Sequence, residues 1–300
     1  MPNIVFYDDG THKNVLLEDF GLGGLAIQAN QHIIVHGGAG MILDPGGHKV
    51  YSRVLSETFS VLGKAKLEYI FLSHQDPDIV AAVNGWLMTT DADAYISKLW
   101  MRFVPHFGFD HLVADRLKPI PDEGMFFNLG DARLSALPAH FLHSEGNFQL
   151  YDPVSKILYS GDLGASLGAE YAEVSDFDAH IPYMEGFHRR YMASNKVMKC
   201  WADMVRGLDI EIIAPQHGAY FKGKDIVGRF IDWCAGLQCG LDLISPLFKL
   251  PGSEGTGPSS TPDPVDENTT SPPAEKGLAQ PDQQESALRL WQKVKERWLY

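Results

Sequence analysis

The sequence predicts an α/β fold of the αβ/βα sandwich type, two mixed sheets face to face with helices outside. Three observations predict it. Strand-like and helical runs alternate both before and after a central hairpin pattern. Residues 69–85 pass from a short apolar strand, Tyr69-Ile70-Phe71-Leu72, through Ser73-His74-Gln75-Asp76-Pro77-Asp78, into the helical run Ile79-Val80-Ala81-Ala82-Val83. Finally, His143, Asp162 and His217 come from distant segments, each following an apolar run. Groups delivered by separate strand ends meet on one rim of a layered fold.

The elements follow in order. Residues 4–50 read as strands and turns, broken by Gly21, Gly23 and Gly24. Residues 31–36 alternate as a strand, and Met41-Ile42-Leu43 leads into the turn Asp44-Pro45-Gly46-Gly47. His32 and His36 share a face of that strand with no carboxylate nearby, so a solvent-facing or cleft-lining place is expected rather than metal ligation. Residues 51–62 carry Val54, Leu55, Phe59 and Leu62 near helical spacing. A helix is expected over 79–88 and a short strand over 94–97. Residues 99–107 are apolar and aromatic, which suits core, a dimer surface, or a dry wall over a pocket. Strands are expected over 120–131 (with a turn) and 132–138. Residues 147–152 and 156–160 make a hairpin that delivers Asp162. Residues 181–208 are helical, 210–214 deliver His217, and 226–240 form a helix with Phe230, Ile231 and Trp233.

Composition narrows the function. The chain has 300 residues, 45% of them hydrophobic, and a net charge of −13. That charge opposes unaided binding to nucleic acid or anionic lipid. The first residues lack a basic and then apolar signal pattern, and no run approaches the roughly 20 apolar residues of a spanning helix. A cytoplasmic place is expected, with no membrane insertion. Cys200, Cys234 and Cys239 form no metal or redox pattern, which fits a reducing compartment and a role as small buried residues.

His74, Asp76 and Asp78 place an imidazole and two carboxylates within five residues. Asp78 alone would be explained as a helix cap; the other two residues would not. Histidine and carboxylate clusters of this kind hold metal ions.

The order His-x-Asp-x-Asp, then His143, then Ser-Gly-Asp ending in Asp162, then Pro-Gln-His-Gly containing His217, resembles the metallo-β-lactamase superfamily. Within it the chain is similar to the flavodiiron branch, and closest to the oxygen-binding di-iron proteins (the ODP family), which lack a flavodoxin domain. The likeness covers roughly residues 15–250. It implies that His74, Asp76 and His143 hold one metal, that Asp78 and His217 hold a second, and that Asp162 bridges them. It implies two iron ions, with manganese or zinc as alternatives, and no flavin in this chain. The superfamily's hydrolases have histidines where this chain has Asp76 and Ile79. Carboxylate for imidazole favours iron or manganese over zinc. Ile79 cannot ligate, which leaves an open position for dioxygen, nitric oxide, water or substrate.

Around this set, His140 is the rival to His143 or a group that holds it, and the family pattern favours His143. His188 and Tyr191 sit in Met184-Glu185-Gly186-Phe187-His188-Arg189-Arg190-Tyr191-Met192, which resembles the flavodiiron segment lying over the site. His188 would exchange a proton there, and Arg189, Arg190 and Tyr191 would close the pocket; an exposed helical turn is the alternative.

Three segments are expected: a di-iron domain over 1–250, a disordered linker over 251–284 with seven prolines, and an amphipathic helix over 285–300 carrying Leu288, Trp291, Val294 and Trp298. That helix would dock on the core or grip a redox or signalling partner. A homodimer is expected by analogy with the family. The reading is a di-iron protein that binds dioxygen and signals or stores. The alternatives are a reductase of dioxygen or nitric oxide fed by a separate donor, and a metal-dependent hydrolase.

Overall fold

Two seven-stranded sheets lie at the centre of this computed structural model, which describes residues 2–17, 19–21 and 27–251. The first sheet runs in chain order. It comprises β1 (Ile4–Asp8), β2 (His12–Leu16), β3 (His32–His36), β4 (Ala39–Leu43), β5 (Lys66–Phe71), β6 (Asp93–Ser97) and β7 (Leu117–Ile120), with α1 (Tyr51–Leu62), α2 (Pro77–Val80) and α3 (Val83–Thr89) between its later strands. The second sheet is built from β8 (Met125–Leu129), β9 (Ala132–Pro138), β10 (Phe148–Asp152), β11 (Ile157–Gly161), β12 (Glu173–Val174), β13 (Ile212–Pro215) and β14 (Tyr220–Lys222). Its order is β12-β14-β13-β11-β10-β9-β8, and its helices are α4 (Phe177–Tyr191), α5 (Asn195–Val205) and α6 (Lys224–Gly236). Short α7 (Leu241–Ile244) follows.

Three apolar layers hold this arrangement. Leu16, Ile34, Met41, Phe71, Phe148, Leu150, Tyr159 and Ala214 meet between the sheets. Val54, Leu62, Ile70, Val83 and Trp86 pack the first helices onto the outer face of the first sheet. Met184, Met198, Trp201, Phe221 and Phe230 do the same for the second. Strands buried on both faces explain the apolar runs of β11 and β13, where a half-exposed strand would alternate; β5 becomes fully buried only at its end, Ile70 and Phe71. The αβ/βα sandwich expected from sequence is the fold.

Strand direction places the site. β4, β5, β6 and β7 are mutually parallel, as are β11 and β13. Their C-terminal ends emerge on the same rim, and backbone bonds knit the two sheets there: Phe148 N–H donates to the Ser73 carbonyl at 2.9 Å, and Asn30 N–H to the Gln216 carbonyl at 2.5 Å.

Several local expectations are corrected. The helix expected over 79–88 is broken into α2 and α3 at Ala81-Ala82. Cys234 and Cys239 are buried but Cys200 is exposed. His32 and His36 do not face solvent. His32 is buried beside Tyr159, their ring centroids 4.9 Å apart, and burial pushes it down to about 3, so the ring is neutral. His36 belongs to a polar chain at the far ends of the same strands. Its Nδ1 is 3.0 Å from His12 Nδ1, and its Nε2 is 2.5 Å from Asp131 Oδ1. The linker and the C-terminal helix expected over 251–284 and 285–300 lie outside the described residues, apart from Pro251.

Asp152 anchors that chain from the second sheet. Fully buried, it accepts from His12 Nε2 at 2.6 Å, Asn14 Nδ2 at 2.8 Å and Ser155 Oγ at 2.7 Å. Burial alone would raise its carboxyl, but these donors outweigh burial and hold it below the usual carboxylate range. A depressed value means that its stabilisation is present above the ordinary carboxylate range and is lost as pH falls through the folded value. Asp152→Ala leaves a buried imidazole without its partner and is expected to cost about 3–5 kcal/mol at neutral pH. Urea unfolding at neutral and acid pH checks this: the difference from wild type shrinks in acid, and an equal difference at both pH values contradicts it.

Candidate metal centre

The rim site is set up by the turn after β5. Asp44, at the end of β4, accepts the Ser73 N–H at 2.8 Å through Oδ1 and fixes the strand end. Burial pushes its carboxyl up to about 6. Pro77 opens α2 at its first helical position and forces the preceding Asp76 into extended geometry, ψ 146°. Alternation in the extended segment puts His74 and Asp76 on one side, and the turn of α2 brings Asp78 beside them. Gly47 lets the β4 turn come close, since a Cβ there would sit 3.0 Å from the Pro77 carbonyl oxygen.

The six residues expected as ligands converge. Asp162, one residue beyond β11 and 4% exposed, is central. Its Oδ2 lies 2.9 Å from His143 Nε2 and 3.8 Å from His74 Nε2. Its Oδ1 lies 3.5 Å from His217 Nε2. Asp76 Oδ2 closes the first group, 3.6 Å from His74 Nε2 and 3.5 Å from His143 Nε2. Donor atoms of His74, Asp76, His143 and Asp162 all lie within 4.8 Å of one another. Asp78 Oδ2 closes the second group, 3.4 Å from His217 Nε2. All three imidazoles present Nε2 inward. The outer Nδ1 of His217 donates to the Gln28 carbonyl at 2.5 Å, and that of His74 is 2.9 Å from Ser73 Oγ. Gly218 permits the tight turn after His217: its φ is +79°, and a Cβ would meet Ser166 Oγ at 2.1 Å.

Charge is strongly coupled here. Burial would lower His74 and His217, but Asp162 with Asp76 in one case and Asp162 with Asp78 in the other outweigh it, and both are raised to about 9. Burial would raise Asp162, yet the three facing imidazoles hold it far below the usual carboxylate range. Its Oδ1 is buried and accepts no hydrogen bond from any described residue. A buried carboxylate oxygen left open, with imidazole and carboxylate donors around it, fits a cation.

A sequence model described as ODP family beta lactamase matches residues 27–218. The chain belongs to this family. A solved structure described as the peroxy diiron species of chemotaxis sensor ODP is 42% identical, with a TM-score of 0.73, covering 83% of this chain and 100% of that one. The apo state of chemotaxis sensor ODP from T. denticola is 44% identical, with a TM-score of 0.71, covering 82% of this chain and 99% of that one. A flavo di-iron protein variant from Thermotoga maritima shares the fold at 17% identity and TM-score 0.64, covering 78% of this chain and 61% of that one. The uncharacterized protein MJ0732 of Methanocaldococcus jannaschii is 23% identical over 201 residues, 64% of this chain. The chain spans about half the length of that curated relative (50%).

Around the six, this ODP-family chain departs from expectation. His140 is not in the cluster; its Nε2 is 2.9 Å from the Asp122 carbonyl oxygen. His188 does not face the site as a proton donor. Its Nδ1 donates to the Met184 carbonyl at 2.7 Å and its Nε2 accepts the Gly164 N–H at 2.8 Å. Burial lowers it to about 4, so the ring is neutral and holds the turn just after Asp162. Tyr191 lies beside His143, ring centroids 5.8 Å apart, and stacks on Phe187 at 4.8 Å. Arg189 and Arg190 are exposed, and Arg189 pairs with Glu185 rather than closing the pocket. Within 99–107, Val104 is core while Leu99 and Phe103 are exposed. Trp100 packs on the His143 loop, where a Cβ on Gly146 would sit 2.7 Å from its Nε1.

Other partners went unpredicted. Gln75 Nε2 donates to Asp76 Oδ1 and Gln216 Nε2 to Asp78 Oδ2, both at 3.2 Å. Asn147 Nδ2 donates to the Leu142 carbonyl at 2.5 Å and holds the His143 loop. The glutamines' available signal was their adjacency to ligands in sequence. A cleft of about 330 Å³ beside Asp78 is lined by Ile27, Ala29, Gly46, Lys49 and Pro77 among others. No helix among the described residues is long and apolar enough to cross a membrane.

Raised histidines have a signed consequence for the metal-free protein. Their stabilisation is complete below the ordinary value of 6.5 and is lost as pH rises through about 9. Chelator-treated protein is expected to lose melting temperature between about pH 7 and 10, while added Mn²⁺ protects it increasingly over that range because the ion displaces ring protons. Melting curves with and without Mn²⁺ test this, and protection that weakens with rising pH contradicts it.

Proposed function

We propose that this chain holds two iron ions and through them binds dioxygen as a sensor. His74, Asp76 and His143 would hold one ion, Asp78 and His217 the other, and Asp162 both. The observation that carries the reading is the convergence of these three imidazoles and three carboxylates in a chain 42–44% identical to chemotaxis sensor ODP structures over nearly all of their length. Three carboxylates make the donor set hard and negative, which favours iron or manganese over zinc.

When bound, the iron pair supplies the electrons that dioxygen takes up. The chain's own residues set the conditions. Asp162 turns one oxygen toward His74 and His143 and the other toward His217, and so keeps the two groups of imidazoles in register. Ser73 and the Gln28 carbonyl fix the outer faces of His74 and His217, so each Nε2 is aimed inward. Phe187 and Tyr191 shield the His143 edge. Ile79, fully buried in the core under α2, supplies no donor beside Asp78, so the second position has fewer protein ligands and room for a small molecule.

Anaerobic metal analysis followed by an optical spectrum on adding dioxygen tests the reading. The expected result is about two irons per chain and a long-lived colour after oxygen, both lost in Asp162→Ala. Rapid bleaching with continuous oxygen consumption under a supplied reductant would show a reductase instead. Two zinc ions with no optical response would leave a hydrolase.

A further inference from the structure

The two terminal aspartates are held differently. Asp76 turns Oδ2 inward to His74 and His143 while its outer Oδ1 accepts from Gln75 Nε2. The Gln75 oxygen is itself occupied, accepting from Ser144 Oγ at 2.5 Å. Ser144 follows His143, so this carboxamide ties the His74–Asp76 turn to the His143 loop. Both ends of Gln75 are anchored, and its bond to Oδ1 leaves the inward Oδ2 of Asp76 facing His74 and His143. Asp78 presents Oδ2 to His217 Nε2, and Gln216 Nε2 donates to that same oxygen. Gln216 is 2% exposed, and its Oε1 is buried with no hydrogen-bond partner among the described residues. The reverse amide orientation would set oxygen against carboxylate, so the assignment stands on donor and acceptor matching. Its backbone is pinned, the N–H donating to the Gly161 carbonyl at 2.8 Å, but its carboxamide is anchored at one end.

We propose that Gln75 and Gln216 are positioning residues, one for each metal position, and that their unequal anchoring makes the Asp76 position fill before the Asp78 position. The inference rests on the two-metal reading above. A doubly tethered carboxamide holds Asp76 in its ligating pose before the ion arrives. A singly tethered one leaves Asp78 to be ordered by the ion, which reduces the net affinity there. Groups that orient ligating carboxylates act on affinity without touching the ion.

The test is a Mn²⁺ titration of the metal-free full chain, followed by calorimetry and by the magnetic resonance signal of bound Mn²⁺. Wild type is expected to bind two ions in two resolved steps. Gln75→Leu weakens the tighter step by about 10–100-fold and leaves the second, whereas Gln216→Leu weakens the second step and leaves the first. Ser144→Ala removes the far tether of Gln75 without touching any aspartate or histidine, and weakens the tighter step alone. Should Gln75→Leu fail to fold, Ser144→Ala carries the result, with metal-free melting temperature as the check on structure. Variants that weaken both steps alike, or neither, overturn the inference while leaving the two-metal reading standing. Wild type that binds fewer than two ions overturns both, and that is seen before any variant is made.

Discussion

Asp162 is buried with its two oxygens facing different groups of histidines, and the rest of the rim is arranged to make that position tolerable. An isolated carboxylate at this depth would be neutralised or expelled. Here it is held ionised by three imidazoles delivered from three different strand ends. Each needs its own support. Ser73 and Asp44 brace the His74 turn, Asn147 braces the His143 loop, and Gln28 with Gly218 braces His217. Even His188, which does not reach the site, holds the backbone two residues beyond Asp162. The sandwich contributes rigidity: strands parallel within each sheet end on one rim, and backbone bonds cross between the sheets there.

Much of this was legible in the sequence because the informative residues are chemically unusual for their local setting. An imidazole and two carboxylates in a strand-to-helix turn, and lone His or Asp residues after apolar runs, have few structural explanations. The strand and helix order was legible for the same reason the core is continuous: β11, β13 and the end of β5 at Ile70 and Phe71 are buried and read as apolar blocks. The Pro77 turn was legible too, since proline restricts the residue before it.

What sequence did not reveal depends on contacts across long separations. His36 reads as an isolated polar residue on a strand, yet it is part of a chain running from Asp131 through His12 to Asp152, and His12 and Asp152 are 140 positions apart. Nothing local to His36 announces those partners. His188 looked reactive because residues 184–192 resemble the flavodiiron segment over the site; burial between the Met184 carbonyl and the Gly164 N–H makes it a strut. His140 differs from His143 by less than one helical turn, and the backbone between them decides which ring enters the site. The glutamines were overlooked for a different reason: carboxamides carry no charge, so they stand out only when the carboxylate each one grips is seen.

Ile79 shows how the fold itself limits the chemistry. Its place in the sequence is where the hydrolases resembled by this chain carry a ligating histidine, but its side chain belongs to the apolar cluster containing Ile70, Val83 and Trp86. An imidazole there would have to leave that cluster to reach a metal or be buried without a partner, and either outcome costs several hydrogen-bonding or packing contacts. The departure is therefore supported by the packing of α2 and cannot be read as a single isolated exchange. The half of the cluster where Ile79 offers no donor is also the half whose aspartate is held by a singly tethered glutamine. Both features leave the Asp78 side less enclosed by protein donors than the Asp76 side, an asymmetry set by helix packing on one side and a loop serine on the other, and under the proposed function it is the Asp78 side that would leave room for a small molecule.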